Sequence, residues 1–170
     1  SDSILGKDFG ETEVTGEVGA AVEGYGAAMS RITQELIRLM RKEKVMAVWL
    51  FDESGSMKDD QKEIAENFNK VYEELGILTS KDEELKKRSK DELILTQILS
   101  FGQGVHDQLQ GKGPTANVEE IKAAIGRIQP DKSGQENMCQ SISFTIDQYI
   151  SQARRQDRRL VIIVVSDESG

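Results

Sequence analysis

Val45-Met46-Ala47-Val48-Trp49-Leu50-Phe51 runs straight into Asp52-Glu53-Ser54-Gly55-Ser56. An unbroken apolar run of that length, with charge before it and a polar turn after it, reads as a β-strand buried on both faces. Such strands belong to parallel sheets covered by helices. The stretch therefore predicts an α/β fold, with its polar loop at the carboxyl end of a central strand.

The flanking sequence supports this. Upstream, Met29, Ile32, Leu36, Leu39 and Met40 recur at steps of three and four, which predicts a helix from Tyr25 to Lys42. Downstream, Ile64, Phe68, Val71, Tyr72 and Leu75 predict a helix over Asp59–Leu75 that stops at Gly76. Lys81–Lys90 is a charge run expected to be a solvated loop or short surface helix. Leu93–Phe101 is a second strand, and Val105–Leu109 a short edge strand. Asn117 with Glu120 resembles a capping box opening a helix through Ile121, Ile125 and Ile128. After a polar loop at Pro130–Gly134, Asn137–Arg154 is again helical. Leu160–Val165 is the third buried strand. Residues 1–26, with glycines at 6, 10, 16, 19, 24 and 26, read as a flexible arm ahead of a domain at 27–170.

The chain has 170 residues, 37% hydrophobic and 31% charged, which suits one soluble domain. Its net charge of −8 opposes binding to nucleic acid or to an anionic membrane surface. No apolar run is long enough to insert into a bilayer. The single Cys139 excludes an internal disulfide and a thiolate zinc cluster, and the single His106 excludes a multi-histidine metal site.

Sites in open α/β sheets form beyond the carboxyl ends of strands. Asp52, Ser54 and Ser56 follow the first strand, and Ser166-Asp167-Glu168-Ser169 follow the third. Carboxylates and hydroxyls suit a hard divalent cation that keeps some of its waters. Asp and Ser in such places also cap helices and form turns.

VWLFDESGSM resembles the first strand and metal loop of von Willebrand factor A (vWA) domains, and VIIVVSDESG resembles their fourth core strand. TANVEEIKAAI and SGQENMCQSI fit between them, and the whole is similar to bacterial members of planctomycete type. The resemblance implies a Rossmann-like vWA fold with a mainly parallel central sheet and helices on both faces. Val45–Phe51 would lie between Leu93–Phe101 and Leu160–Val165. It implies a metal-ion-dependent adhesion site (MIDAS) holding Mg²⁺, or alternatively Ca²⁺ or Mn²⁺, on Asp52, Ser54, Ser56 and Asp167. One metal position would stay open for an acidic group of a protein partner. A secreted or periplasmic location is implied in the same way.

The sequence departs from the family pattern in two places. Glu136 of Glu136-Asn137-Met138 stands where a threonine ligand is expected, so Glu136 joins the candidate ligands, with Ser133 as the substitute if the alignment slips. Family members also continue beyond the second aspartate, so the fold is expected to be C-terminally incomplete, with an unpaired sheet edge.

The function expected is a non-enzymatic binding module. The alternatives are a structural module whose metal sphere is closed by its own side chains, and a metal-dependent hydrolase. Against the hydrolase, no nucleophile–base pair or phosphate loop is visible. Trp49 and Cys139 read as core residues, His106 as a surface or half-buried residue rather than a base, and Glu53 and Glu168 as solvated residues beside the metal loops.

Overall fold

The computed structural model describes residues 3–8, 12–15, 25–54, 57–131 and 137–166. The apolar run forms β3 (Lys44–Asp52), every residue of which after Lys44 is buried. It is parallel to β4 (Ile94–Gly102) on one side, with Trp49 opposite Ile98. On the other side it is parallel to β6 (Arg158–Ser166), with Trp49 opposite Ile163. The three buried runs are thus neighbours, with the first in the middle. β5 (Gly104–Asp107) adds an antiparallel edge to β4.

Alternation along β3 sorts its side chains between two cores. Val45, Ala47, Trp49 and Phe51 face α1 (Tyr25–Met40), α2 (Met57–Lys81) and α4 (Val118–Gly126). Met46, Val48 and Leu50 face α5 (Met138–Arg155). Helices therefore cover both faces, as a doubly buried strand requires. Met29, Ile32, Leu36, Leu39 and Met40 are all buried, so the three- and four-residue spacing does mark the inward stripe of α1. Trp49 is fully buried. Among the described residues no helix is long and apolar enough to cross a membrane.

The structure differs from the sequence reading at several points. Stretches of residues 1–26 enter the sheet: β1 (Ser3–Asp8) runs parallel to β6, and β2 (Thr12–Thr15) runs antiparallel to β1. The outer edge of β6, expected to be unpaired, carries β1. A sheet edge offers a row of backbone donors and acceptors, and an adjacent extended stretch can satisfy them. The sheet order is β2-β1-β6-β3-β4-β5.

Helix α2 does not stop at Gly76 but continues to Lys81. A mid-helix glycine costs about 1 kcal/mol. The last turns offset this by packing Leu75 and Leu78 against the core and by the Thr79 hydroxyl donating to the Leu75 carbonyl (2.7 Å). The charge run after α2 is not wholly solvated, because Leu85 in a short 3-10 turn is buried. After it, the single helical turn α3 (Lys90–Leu93) leads into β4.

Asparagines cap both α4, as expected at Asn117, and α5. Asn117 accepts from the backbone of Glu119 and Glu120, although its own N–H bonds to Thr115 rather than to Glu120. Asn137 and Gln140 form a reciprocal capping box at the start of α5. Cys139, in the first turn of α5, is exposed rather than buried.

Candidate metal centre

The carboxyl ends of β3 and β6 lie side by side, with Phe51 opposite Val165. The alternation that turns Met46, Val48 and Leu50 toward α5 carries Asp52 to that face, and Ser166 follows Leu160, Ile162 and Val164 in the same way. The two side chains meet: Ser166 Oγ donates to Asp52 Oδ2 (3.0 Å). The other oxygen, Oδ1, accepts the Ser54 backbone N–H (2.9 Å), an Asx turn that bends the chain away from the strand. Asp52 is only 7% exposed.

The loop's other carboxylate takes the opposite course. Glu53 falls in the alternation of Phe51 and turns to the face of α2 and α4. It is 2% exposed, so it is not the solvated rim residue expected from the sequence. Its Oε2 accepts the hydroxyl of Ser100 on β4 and Nδ1 of His106 on β5, the latter at 2.7 Å. A carboxylate can only accept, so Nδ1 carries the proton. Ser100 Oγ also accepts from Gln108 Nε2 (2.9 Å). The Glu53 backbone is fastened as well: its N–H donates to the Phe101 carbonyl (2.9 Å) and its carbonyl accepts from Asp131 N (2.5 Å). His106 is half exposed, within the surface or half-buried reading of the sequence, and it ties the edge strand to the loop.

Of the candidate ligands, the structure brings Asp52 and Ser54 together in one turn. Ser56, Glu136 and Asp167, like Ser133 and Glu168, lie outside the described residues. Ser56 immediately precedes α2, Glu136 immediately precedes the cap of α5, and Asp167 immediately follows Ser166. Among the described residues no three His, Cys, Asp or Glu side chains converge to hold an ion. The donors that do meet at the rim are a carboxylate and hydroxyl-bearing residues, a chemistry that fits a hard divalent cation.

Sequence reasoning missed Ser100 and Gln108 and gave His106 no part in the loop, and it placed Ser166 in the strand-end stretch without a role of its own. The strand alternation contained part of the signal. It assigns Asp52 and Glu53 to opposite faces, and it puts Ser166 on the face of Asp52.

A model of the von Willebrand factor type A domain matches residues 48–170. The chain belongs to this family. The matched stretch of the A domain holds all five candidate ligands, whereas β1, β2 and α1 precede it. Among solved structures the domain is similar to proximal thread matrix protein 1 of the mussel byssus. One crystal form gives 21% identity over 75% of this chain, with a TM-score of 0.49. A second structure, with zinc in its MIDAS motif, gives the same identity and coverage and a TM-score of 0.48. The chain spans about a third of the length of these proteins. No curated protein matches. A domains are generally protein-interaction modules.

Proposed function

We propose that this A domain is a non-enzymatic binding module that holds a divalent cation and engages a protein partner through it. The ligands would be Asp52, Ser54, Ser56, Glu136 and Asp167, and the cation Mg²⁺ in preference to Ca²⁺ or Mn²⁺. The observation that carries this reading is Asp52 itself. A carboxylate buried at a strand end, held by one backbone N–H and one serine hydroxyl, is aimed and kept in place as a ligand should be. A hard cation takes such oxygens, and the charge of the ion offsets the cost of burying the anion.

Glu136 bears on how a partner would bind. Mg²⁺ with Asp52 and Asp167 alone gives a neutral site, whereas an ionised Glu136 among the ligands leaves one negative charge. Unit charges about 4 Å apart interact by roughly 4 kcal/mol at an effective dielectric near 20. An acidic group of a partner would therefore bind only as Glu136 leaves the metal. If Glu136 instead stayed bound and closed the sphere, the domain would be a structural or assembly module.

Calorimetric titration of the chain with Mg²⁺ tests the site. Asp52→Ala and Asp167→Ala should each abolish or greatly weaken binding while the circular dichroism spectrum is retained. Unchanged affinity in both variants would rule the site out. Glu136→Thr should weaken the cation and strengthen acetate binding to the loaded protein. No change in either would remove Glu136 from the ligand set.

A further inference from the structure

Glu53 plays no part in the proposed cation site, yet it is fastened through its side chain and its backbone within the loop that builds it. An ionised carboxylate out of water costs several kcal/mol unless hydrogen bonds compensate it. Here they do, and each one leads away from the loop. Ser100 belongs to β4 and His106 to β5, and the Glu53 backbone carbonyl is tied separately, by the Asp131 N–H, to the segment after α4. The Glu53 carboxylate also fills the space over Gly102, where a Cβ would stand 2.6 Å from Oε1 and 3.2 Å from Asp131 Oδ2. A residue pinned through its side chain and through both backbone polar groups has little torsional freedom left. Asp52 and Ser54, on either side of it, inherit that restraint. Ordering ligands before the ion arrives removes an entropy cost from binding.

We propose that Glu53 is a positioning residue for the cation site, with Ser100 and His106 as its anchors. It holds the Asp52–Ser54 turn in its ligating shape from the opposite face of the sheet. Through His106, the edge strand β5 becomes part of the support of a site built at β3 and β6. This inference rests on the reading of Asp52 and Ser54 as cation ligands.

The whole chain is titrated with Mg²⁺, and thermal unfolding is recorded in parallel, for the wild type, Asp52→Ala, Glu53→Gln, His106→Ala and His106→Asn. His106 is half exposed, so its variants are expected to fold. Loss of a group that orients a ligand typically weakens a metal 10- to 100-fold. His106→Ala should therefore bind Mg²⁺ about tenfold more weakly, near the lower end of that range. His106→Asn places an amide N–H where Nδ1 stands and should restore the wild-type affinity. Glu53→Gln, which keeps the shape but loses the charge, should be weakened less than His106→Ala.

A merely structural bracket would lower the melting temperature of His106→Ala and Glu53→Gln and leave their Mg²⁺ affinity alone. That result overturns the proposal, as does an asparagine variant no better than alanine. If Asp52→Ala abolishes binding while the His106 variants bind like the wild type, the cation site stands and Glu53 loses its role. If the wild type takes up no Mg²⁺, both readings fall together.

Discussion

Asp52 and Glu53 are adjacent in the chain, and their carboxylates are held on opposite faces of the sheet, one by Ser166 and the other by Ser100 and His106. Ser166→Ala separates these two roles. Removing the hydroxyl takes one bond from Asp52 Oδ2 and leaves the Glu53 bracket intact. A buried acceptor left short costs about 1–3 kcal/mol. Mg²⁺ affinity should fall about tenfold because the ligand is less well oriented. Urea denaturation with and without Mg²⁺ measures both effects. Full Mg²⁺ affinity in Ser166→Ala would mean that the hydroxyl does not orient Asp52.

Gly102 is small for a reason that the Glu53 side chain supplies. A Cβ there would approach Glu53 Oε1 to 2.6 Å and Glu53 Cβ to 3.2 Å. A carboxylate tip can usually swing aside, but this one is held by Ser100 and His106. Gly102→Ala should therefore destabilise the domain by about 1–3 kcal/mol, the usual range for overpacking. It should also weaken Mg²⁺, because the displaced carboxylate loosens the loop. The same substitution at Gly76 makes the control: nothing lies within 4 Å of a Cβ there. Gly76→Ala should stabilise helix α2 by up to about 1 kcal/mol. Urea midpoints and Mg²⁺ titrations of the two variants check both expectations, and a Gly102→Ala protein as stable as the wild type would show that the bracket gives way freely.

Much of this was legible in the sequence because burial on both faces leaves a continuous apolar run. Val45–Phe51 and Leu160–Val165 identified the central strands. The amphipathic spacing of Met29, Ile32 and Leu36 identified a helix, and Asn137 marked the start of another. The N-terminal strands were not legible. Ser3–Asp8 is short and glycine-containing, and its pairing with β6 is made by backbone atoms that no side-chain pattern announces. The end of α2 was misread because Gly76 weakens a helix locally, whereas Leu75 and Leu78 pack on both sides of it. At the site, Asp52 was visible by its place after a strand. Ser100 and His106 were not, because their link to Glu53 crosses two strands and depends on register. Cys139 was misplaced because position in an amphipathic helix, not residue type, decides which side chains face the core.

Asn137 is expected to matter beyond the usual cap. Its side chain accepts the Gln140 N–H (2.7 Å), and the Gln140 side chain accepts the Asn137 N–H in return (3.3 Å). Loss of such a cap costs about 1 kcal/mol. Asn137 directly follows Glu136, so fraying here disturbs a candidate ligand as well. Asn137→Ala should lower both the urea midpoint and Mg²⁺ affinity. Asn117→Ala, a comparable cap at α4, should lower the midpoint alone. Equal effects of the two variants on Mg²⁺ would detach the start of α5 from the site.

Tyr72 gives the domain a stability that alkali should remove. Its ring is partly exposed, but its hydroxyl is turned in, where it accepts Trp49 Nε1–H (3.3 Å) and bonds to the Thr96 hydroxyl. Burial pushes the phenol up from 10.0 to about 12, against the smaller opposing effects of those two bonds. The folded value lies above the unfolded one, so the folded state is favoured in full below pH 10. That advantage is lost as pH rises from 10 towards 12, because the unfolded chain ionises first. A shift of this size corresponds to about 3 kcal/mol across the window. Tyr72→Phe removes the titration. At neutral pH it should be less stable by about 1–3 kcal/mol, because Trp49 and Thr96 lose their partner. Between pH 10 and 12 its stability should then fall less steeply than that of the wild type. Urea midpoints at steps from pH 7 to pH 12 compare the two slopes, and parallel curves would show that Tyr72 ionises as freely folded as unfolded.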